Sequence, residues 1–144
     1  KRFAITDMEG NAISSEITRT TKAFVSIEGI LSKNDPAITI GYALYDENNQ
    51  AIYWSYHTDD SSNALKMTQG GVVKLFSELP TQLLNEGRYR IELIGGIHNK
   101  QWFFEPEKNA PELFITISGV LSNSPYWTTK RPGIIAPTLL WKKR

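Results

Sequence analysis

The sequence predicts an all-β fold, an antiparallel sandwich of the jelly-roll or immunoglobulin-like kind with about seven or eight strands. Apolar and polar residues alternate with a period of two through most of the chain, as they do in half-buried strands. Turn signals rich in Gly, Pro, Asn and Asp separate these segments. No stretch of a dozen residues carries the apolar stripe of an amphipathic helix.

The first half of the chain predicts four strands. "RFAITD" ends at the turn "MEGN", and "KAFVSIEGIL" ends at "SKNDP". In "AITIGYALYD", Ile38, Ile40, Tyr42 and Leu44 alternate with smaller or polar residues. The turn "ENNQ" then reverses the chain into the fourth strand, "AIYWSY".

The second half predicts three strands and a tail. After the polar segment at 57–71 come "VVKLFSEL", "GRYRIELIGGIH" and "LFITISGV". "SELPTQLL" is compatible with one helical turn between the first two strands. The tail, 122–144, is punctuated by proline and predicts one last strand at Ile134 and Ile135. The apolar stretch at 137–141 is expected to dock on its own domain or on a partner.

Composition limits the possible functions. At 144 residues the chain fits one domain, 1–144, of a size that buries a sizeable core. Sixteen basic and fifteen acidic residues leave a net charge of +1, which does not favour nucleic acid as a partner. There is no cysteine and no apolar run near the ~20 residues of a membrane span. Because the chain opens on Lys1 without signal-peptide order, we interpret it as an excised domain of a longer protein.

Catalytic and metal-binding motifs are not apparent, so the sequence predicts a binding domain rather than an enzyme, without metal or cofactor. His57 and His98 are the only histidines and lie on separate predicted strands. The oxygen-rich run at 59–63 lacks the ligand order of a calcium loop and predicts a solvated loop. A glycosidase is the catalytic alternative, and it would require two carboxylates converging on one aromatic cleft.

The hairpin around 46–50 determines which aromatic residues are accessible. If Tyr45 lies opposite Ala51, an unbroken register sets three further pairs opposite each other: Ala43 with Tyr53, Gly41 with Ser55, and Thr39 with His57. Ile52, Trp54 and Tyr56 then face the core. In that case we expect Trp54→Ala to cost about 3–5 kcal/mol, and Tyr53→Ala and His57→Ala to cost little.

This register predicts a sugar-binding face around Tyr53, Ser55 and His57, because their small neighbours leave the ring flanks open. Arg90 and Lys74 are the cations placed to reach hydroxyls or an anionic substituent. The competing interpretation is that Tyr53 is an ordinary exposed residue. Three further candidates complete the set: Trp54 and Tyr56, to which the site moves if the two faces are reversed, and Trp102, in a segment predicted to be a loop.

The order of segments resembles a known family. "RFAITDMEGNAI", "ITIGYALYDENNQAIYWSYHTD", "NEGRYRIELIGGIH" and "GIIAPTLLW" together resemble the C-terminal carbohydrate-binding domain of Wzt-type proteins, the nucleotide-binding subunits of ABC transporters that export O-antigen polysaccharide. The resemblance covers residues 2–141. This chain departs from the family pattern at Trp54 and Tyr56, where many members have a Gly or a small polar residue.

The resemblance implies a sandwich that binds the modified non-reducing end of a finished polysaccharide and so couples chain completion to export. It also implies an ATPase domain in the same chain, a transmembrane transporter subunit, and a cytoplasmic location at the inner face of the inner membrane. A homodimer with an exchanged C-terminal strand is expected too. The alternative is an interaction or dimerisation sandwich without glycan specificity.

Overall fold

A computed structural model describes residues 2–32, 35–60, 71–119, 122, 124–127 and 129–144. Across these residues it contains nine strands: β1 (Arg2–Thr6), β2 (Glu16–Thr18), β3 (Phe24–Ile30), β4 (Ile38–Tyr45), β5 (Ala51–Tyr56), β6 (Val72–Glu78), β7 (Gly87–Ile97), β8 (Gln101–Phe104) and β9 (Glu112–Ser118). The predicted all-β sandwich is confirmed, with more strands than the seven or eight expected. No helix in the described ranges has the length and apolar character to cross a bilayer.

The strands form two sheets of unequal size. The small sheet has the order β1-β3-β6, and the large sheet has the order β2-β9-β7-β4-β5, with β8 pairing the end of β7. All pairs are antiparallel except β2 with β9. β7 is the longest strand, and one of its edges pairs with β4 along most of its length. On its other edge, Gly87–Glu92 pair with β9 and Gly95–Ile97 pair with β8.

The core lies between the two sheets and follows the predicted alternation. Val25 of the small sheet packs in one buried cluster with Tyr42, Leu44 and Ile91 of the large sheet. Strand side chains point alternately to opposite faces, but the central strands are buried on both, since Ala43, Tyr45 and Ile94 form a separate buried cluster.

Two short strands were not predicted. β2 has only three residues, and β8 falls in the segment predicted to be a loop, which brings Trp102 onto a strand. The predicted helical turn is a hydrogen-bonded turn in which Leu83 N–H donates to the Pro80 carbonyl at 2.9 Å. The last predicted strand reduces to an isolated bridge between Ile135 and Leu84.

The register of the β4–β5 hairpin differs from the predicted one. Tyr45 lies opposite Ala51 as predicted, but Leu44 lies opposite Tyr53, so Ile52 is an extra residue in the ladder. Such a β-bulge shifts the rest of the strand by one position and exchanges its two faces. The predicted pairs are therefore wrong: Trp54 lies opposite Ala43, and Tyr56 opposite Gly41.

The bulge places Tyr53 against the core, where its hydroxyl lies 3.1 Å from that of Tyr42 and the two rings pack edge to face. Burial raises the pKa of Tyr53 far above its ordinary value. Trp54, predicted to be core, is 42% exposed on the opposite face. Ile52 does pack against the core, as predicted.

The tail is held near the start of β7. Ala136 N–H donates to the Leu83 carbonyl at 2.9 Å. The buried Arg19 guanidinium donates to the carbonyls of Gln82 and Ala136 and to Thr138 Oγ1. Beyond this attachment the apolar side chains are in solvent: Leu139, Leu140 and Trp141 are 68%, 93% and 95% exposed.

The register predicts an asymmetry between two neighbouring aromatics. We expect Tyr53→Ala to lower the free energy of unfolding by about 2–3 kcal/mol, because it removes a partly buried ring and leaves the Tyr42 hydroxyl without its partner. Trp54→Ala should cost less than about 1 kcal/mol. Urea denaturation of both variants measures the difference, and a larger loss for Trp54→Ala would contradict the register.

Candidate functional site

Three aromatic side chains line one groove on the outer face of the large sheet. Trp54 and Tyr56 come from β5, and Trp102 comes from β8 on the other side of β4 and β7. The groove has a volume of about 570 Å³, within the usual range of small-ligand sites. Its remaining lining is mostly polar: Thr39, Thr58, Gly96, Ile97, His98, Asn99, Lys100 and Gln101.

The β5 side of the groove is an aromatic wall. The rings of Trp54 and Tyr56 lie edge to face with centroids 6.4 Å apart. Both stand opposite small residues of β4, Ala43 and Gly41. Gly41 is required there, because a Cβ at this position would overlap the Ser55 carbonyl. Because the β4 residues beside them have small side chains or none, the rings of Trp54 and Tyr56 stand above the outer surface of β4.

The opposite wall depends on the glycine pair in β7. β8 folds back on β7 with Gly96 opposite Trp102 and Gly95 opposite Phe104. A Cβ on Gly96 would lie 2.6 Å from the Gln101 carbonyl oxygen and 3.5 Å from the Trp102 ring. Only glycine therefore admits this close approach, and it lets the Trp102 indole, 46% exposed, lie over the strand.

The turn between β7 and β8 supplies the polar end of the groove. Lys100 N–H donates to the Ile97 carbonyl at 2.9 Å, and Asn99 has a φ of 56°, a left-handed conformation that asparagine tolerates. Lys100 Nζ lies 3.5 Å from Asp35 Oδ2. The Ala37 amide, with help from Lys100, lowers the pKa of Asp35, which favours the ionised partner of this ammonium group.

The described part of the groove lacks the groups that the catalytic alternative requires. No carboxylate is among the described residues that line the groove, so the carboxylate pair that a glycosidase needs is not found there. Across the same described ranges, no three His, Asp or Glu side chains converge to hold a metal ion. The predicted solvated loop at 59–63 lies in part outside the described residues. What the groove offers is aromatic surface beside hydroxyl, amide, imidazole and ammonium groups.

The structure separates the three residues that were predicted to form the binding face. Tyr53 packs against the core. Ser55 lies opposite Tyr42, on the same side of the strand as Tyr53, with Oγ 3.4 Å from Asp59 Oδ2. His57 begins a single 3-10 turn, and its Nδ1 lies 3.0 Å from the Ile40 amide nitrogen. These side chains do not line the groove, so their role as ligand contacts stays a prediction from sequence.

The two predicted cations also lie outside the groove. Arg90 is on the outer face of the large sheet, where it stacks 4.7 Å above the Tyr45 ring and pairs with Glu92. Lys74 is on β6, in the other sheet. Of the eight residues predicted for carbohydrate binding, Trp54, Tyr56 and Trp102 are the ones that the structure brings together.

Sequence reasoning missed as groove residues His98, Asn99 and Lys100 of the β7–β8 turn and Gln101 at the start of β8. The signal was present in the sequence as the pair "GG" in "IGGIHNKQW", followed by an aromatic strand. Adjacent glycines inside a strand often mark a close backbone approach, which here is the contact that aligns the turn with the groove.

Comparison with solved structures supports the fold. The chain is similar to one described as "Crystal structure of the C-terminal domain of wzt", with a TM-score of 0.66, 11% sequence identity, and coverage of 99% of this chain and 81% of the other. At this identity the likeness establishes the architecture alone. No family model matches the sequence, and no curated protein does either.

The glycine that admits Trp102 offers a direct test of the groove. We expect Gly96→Ala to displace Trp102 and to lower the free energy of unfolding by about 1–3 kcal/mol, since the added methyl group has no room. The matched control is Gly29→Ala, because a Cβ on Gly29 meets nothing within 4 Å. The indole N–H resonances in an NMR spectrum report the displacement. An unchanged Trp102 resonance in Gly96→Ala would contradict the packing.

Proposed function

We propose that this chain is a non-catalytic domain that binds polysaccharide in the groove between Trp54, Tyr56 and Trp102. The observation that carries the proposal is the convergence of three aromatic rings from two separate strands on one polar-ended groove. Residues 1–144 are proposed to act as one domain, without cofactor or metal.

The chemistry of a sugar ring matches this groove. A pyranose has C–H groups on one face and hydroxyls around its edge, so it requires an apolar platform and nearby hydrogen-bonding groups together. Trp54 and Trp102 have large exposed areas and few rotatable bonds, so they supply contact area at low entropic cost. Thr39, Asn99 and Gln101 supply donors and acceptors in place of water.

The groove supports an uncharged or weakly anionic glycan rather than a strongly charged one. Among the described residues that line it, Lys100 carries the positive charge, and Asp35 pairs with this ammonium group. An anionic substituent on the sugar would therefore compete with an existing partner. This balance is consistent with the chain's net charge of +1.

The biological setting follows from the sequence resemblance together with the fold likeness to the Wzt domain. We propose that the domain recognises the non-reducing end of O-antigen and couples chain completion to export. It would do so as part of a nucleotide-binding subunit, joined to an ATPase domain and associated with a transmembrane transporter subunit at the cytoplasmic face of the inner membrane. A coding sequence without a phosphate-binding loop ahead of Lys1 would count against this setting.

The exposed tail supports a second proposed role, in homodimer formation. Leu139, Leu140 and Trp141 leave the body of the protein with their side chains in solvent. A contiguous exposed apolar segment of this kind is expected to bury itself against another surface. Exchange of the C-terminal segment between two copies of the chain would provide that surface. The interaction-domain alternative rests on the same observation.

Glycan binding is tested by calorimetric titration with O-polysaccharides. We expect Trp54→Ala and Trp102→Ala each to weaken binding by about tenfold or more, since aromatic anchors commonly contribute 1.4 kcal/mol or above. Tyr126→Ala is the matched control, because Tyr126 is also an exposed aromatic but lies outside the groove. Equal affinities for all three variants would refute the site.

The tail is tested by sedimentation equilibrium of the full chain. We expect Leu140→Asp combined with Trp141→Asp to lower the average mass in solution, because burying the new carboxylates in an interface is costly. The control is Tyr126→Asp, which adds charge at a comparably exposed position. If the doubly substituted chain keeps the mass of the unmodified protein, the tail is not the dimer contact.

A further inference from the structure

Strand β6 has an unusual open edge in the small sheet. It is the last strand of the order β1-β3-β6, and within the described ranges no other strand lies on its outer side. Its hydrogen bonds to β3 involve the odd-numbered positions, since Leu79 N–H donates to the Ala23 carbonyl and Leu31 N–H to the Gly71 carbonyl. In an antiparallel ladder, alternate residues then direct their N–H and C=O groups away from the sheet. On β6 these include Lys74, Phe76 and Glu78.

The same three residues share the outer face of the sheet, and they are exposed. Phe76 is 70% exposed and packs edge to face on the buried ring of Phe24, with centroids 5.9 Å apart. Glu78 lies opposite Phe24 in its own sheet, so β3 offers it no cation directly across. An open edge with a large exposed aromatic is the kind of template that native proteins usually block.

The sequence of this edge is complementary to itself. When two copies of β6 run antiparallel with Phe76 opposite Phe76 of the second copy, Lys74 lies opposite Glu78 on both sides of the two-fold axis. In this register the outward-directed backbone groups of all three residues also pair. Moving the centre of pairing to Lys74 or to Glu78 would instead put like charges opposite each other, which is destabilising.

We propose that β6 is a self-association edge, at which a second copy of this chain adds its own β6 and joins two small sheets into one continuous sheet. The charges favour the register centred on Phe76, because it is the one that forms both Lys74–Glu78 pairs, and they disfavour the registers that set Lys74 or Glu78 opposite its own copy. This contact uses residues distant from the aromatic groove and from the tail in sequence and leaves the groove exposed, so it stands independently of the proposed glycan binding.

Disulfide trapping tests the register, because the chain contains no cysteine. In the full chain, Phe76→Cys should form an intermolecular disulfide under mild oxidation, since Cα atoms of such a directly opposite pair are about 5.5 Å apart. Lys74→Cys alone should not, as its two copies would be about 14 Å apart along the strands. A mixture of Lys74→Cys and Glu78→Cys chains should cross-link to each other. Absence of the Phe76→Cys cross-link, or equal cross-linking of Lys74→Cys by itself, would overturn the proposal.

Charge exchange tests the same contact without oxidation. In sedimentation experiments over a range of concentrations, Lys74→Glu should weaken this association about tenfold, because two attractive pairs become repulsive. Combining Lys74→Glu with Glu78→Lys should restore it to within about twofold. Lys74 also lies opposite Glu28 of β3 within its own sheet, so thermal denaturation of each variant separates an effect on folding from an effect on association. A combined variant as weak as the single one would contradict the register.

Discussion

The one-residue bulge at Ile52 is the constraint on which the candidate site depends. Side chains alternate along a strand with a period of two, so one extra residue exchanges everything that follows it between core and solvent. Without the bulge, Trp54 and Tyr56 would compete with Tyr42 and Leu44 for core volume, and the outer face would lose its aromatic wall. With it, Tyr53 enters the core and finds the Tyr42 hydroxyl. The aromatic groove is therefore a consequence of how one edge strand is accommodated, and edge strands are where bulges are most common.

A second constraint acts on the other wall. Gly95 and Gly96 let β8 approach β7 so closely that Phe104 and Trp102 occupy the space where side chains would otherwise stand. Both walls contain an added residue, Ile52 in β5 and Phe103 in β8, and the second wall also depends on the missing side chains of Gly95 and Gly96 in β7. Both leave the sheet itself intact, because β4 and β7 pair without interruption from Ile38 to Tyr45.

Much of the fold was predictable from the sequence, because alternation is a local property. On β4, Ile40, Tyr42 and Leu44 alternate with smaller or polar residues in the sequence, and all three are buried. The hairpin turn was also correct, since Tyr45 does face Ala51. The candidate site was harder to predict from the sequence, because no residue pattern around Ile52 marks the β-bulge. One clue was available: Gly41 and Ala43 fit best opposite the largest side chains of β5, which favours pairing them with Tyr56 and Trp54. His98, Lys100 and Gln101 required the fold, since a turn joins the groove only when β8 folds back.

The attachment of the tail through Arg19 also sets a mechanical limit. The guanidinium fixes the chain at Ala136 and Thr138, so only the segment beyond these residues is able to move while the body stays intact. At about 3.4 Å per extended residue, Trp141 reaches roughly 10 Å from the anchor. Any surface that covers Trp141 must therefore lie within about that distance of Thr138, or else Arg19 must first release Ala136 and Thr138. The tail is thus a short segment attached at a fixed point, Ala136 and Thr138. The position of that point restricts the relative orientations of two protomers in which the tail of one contacts the other.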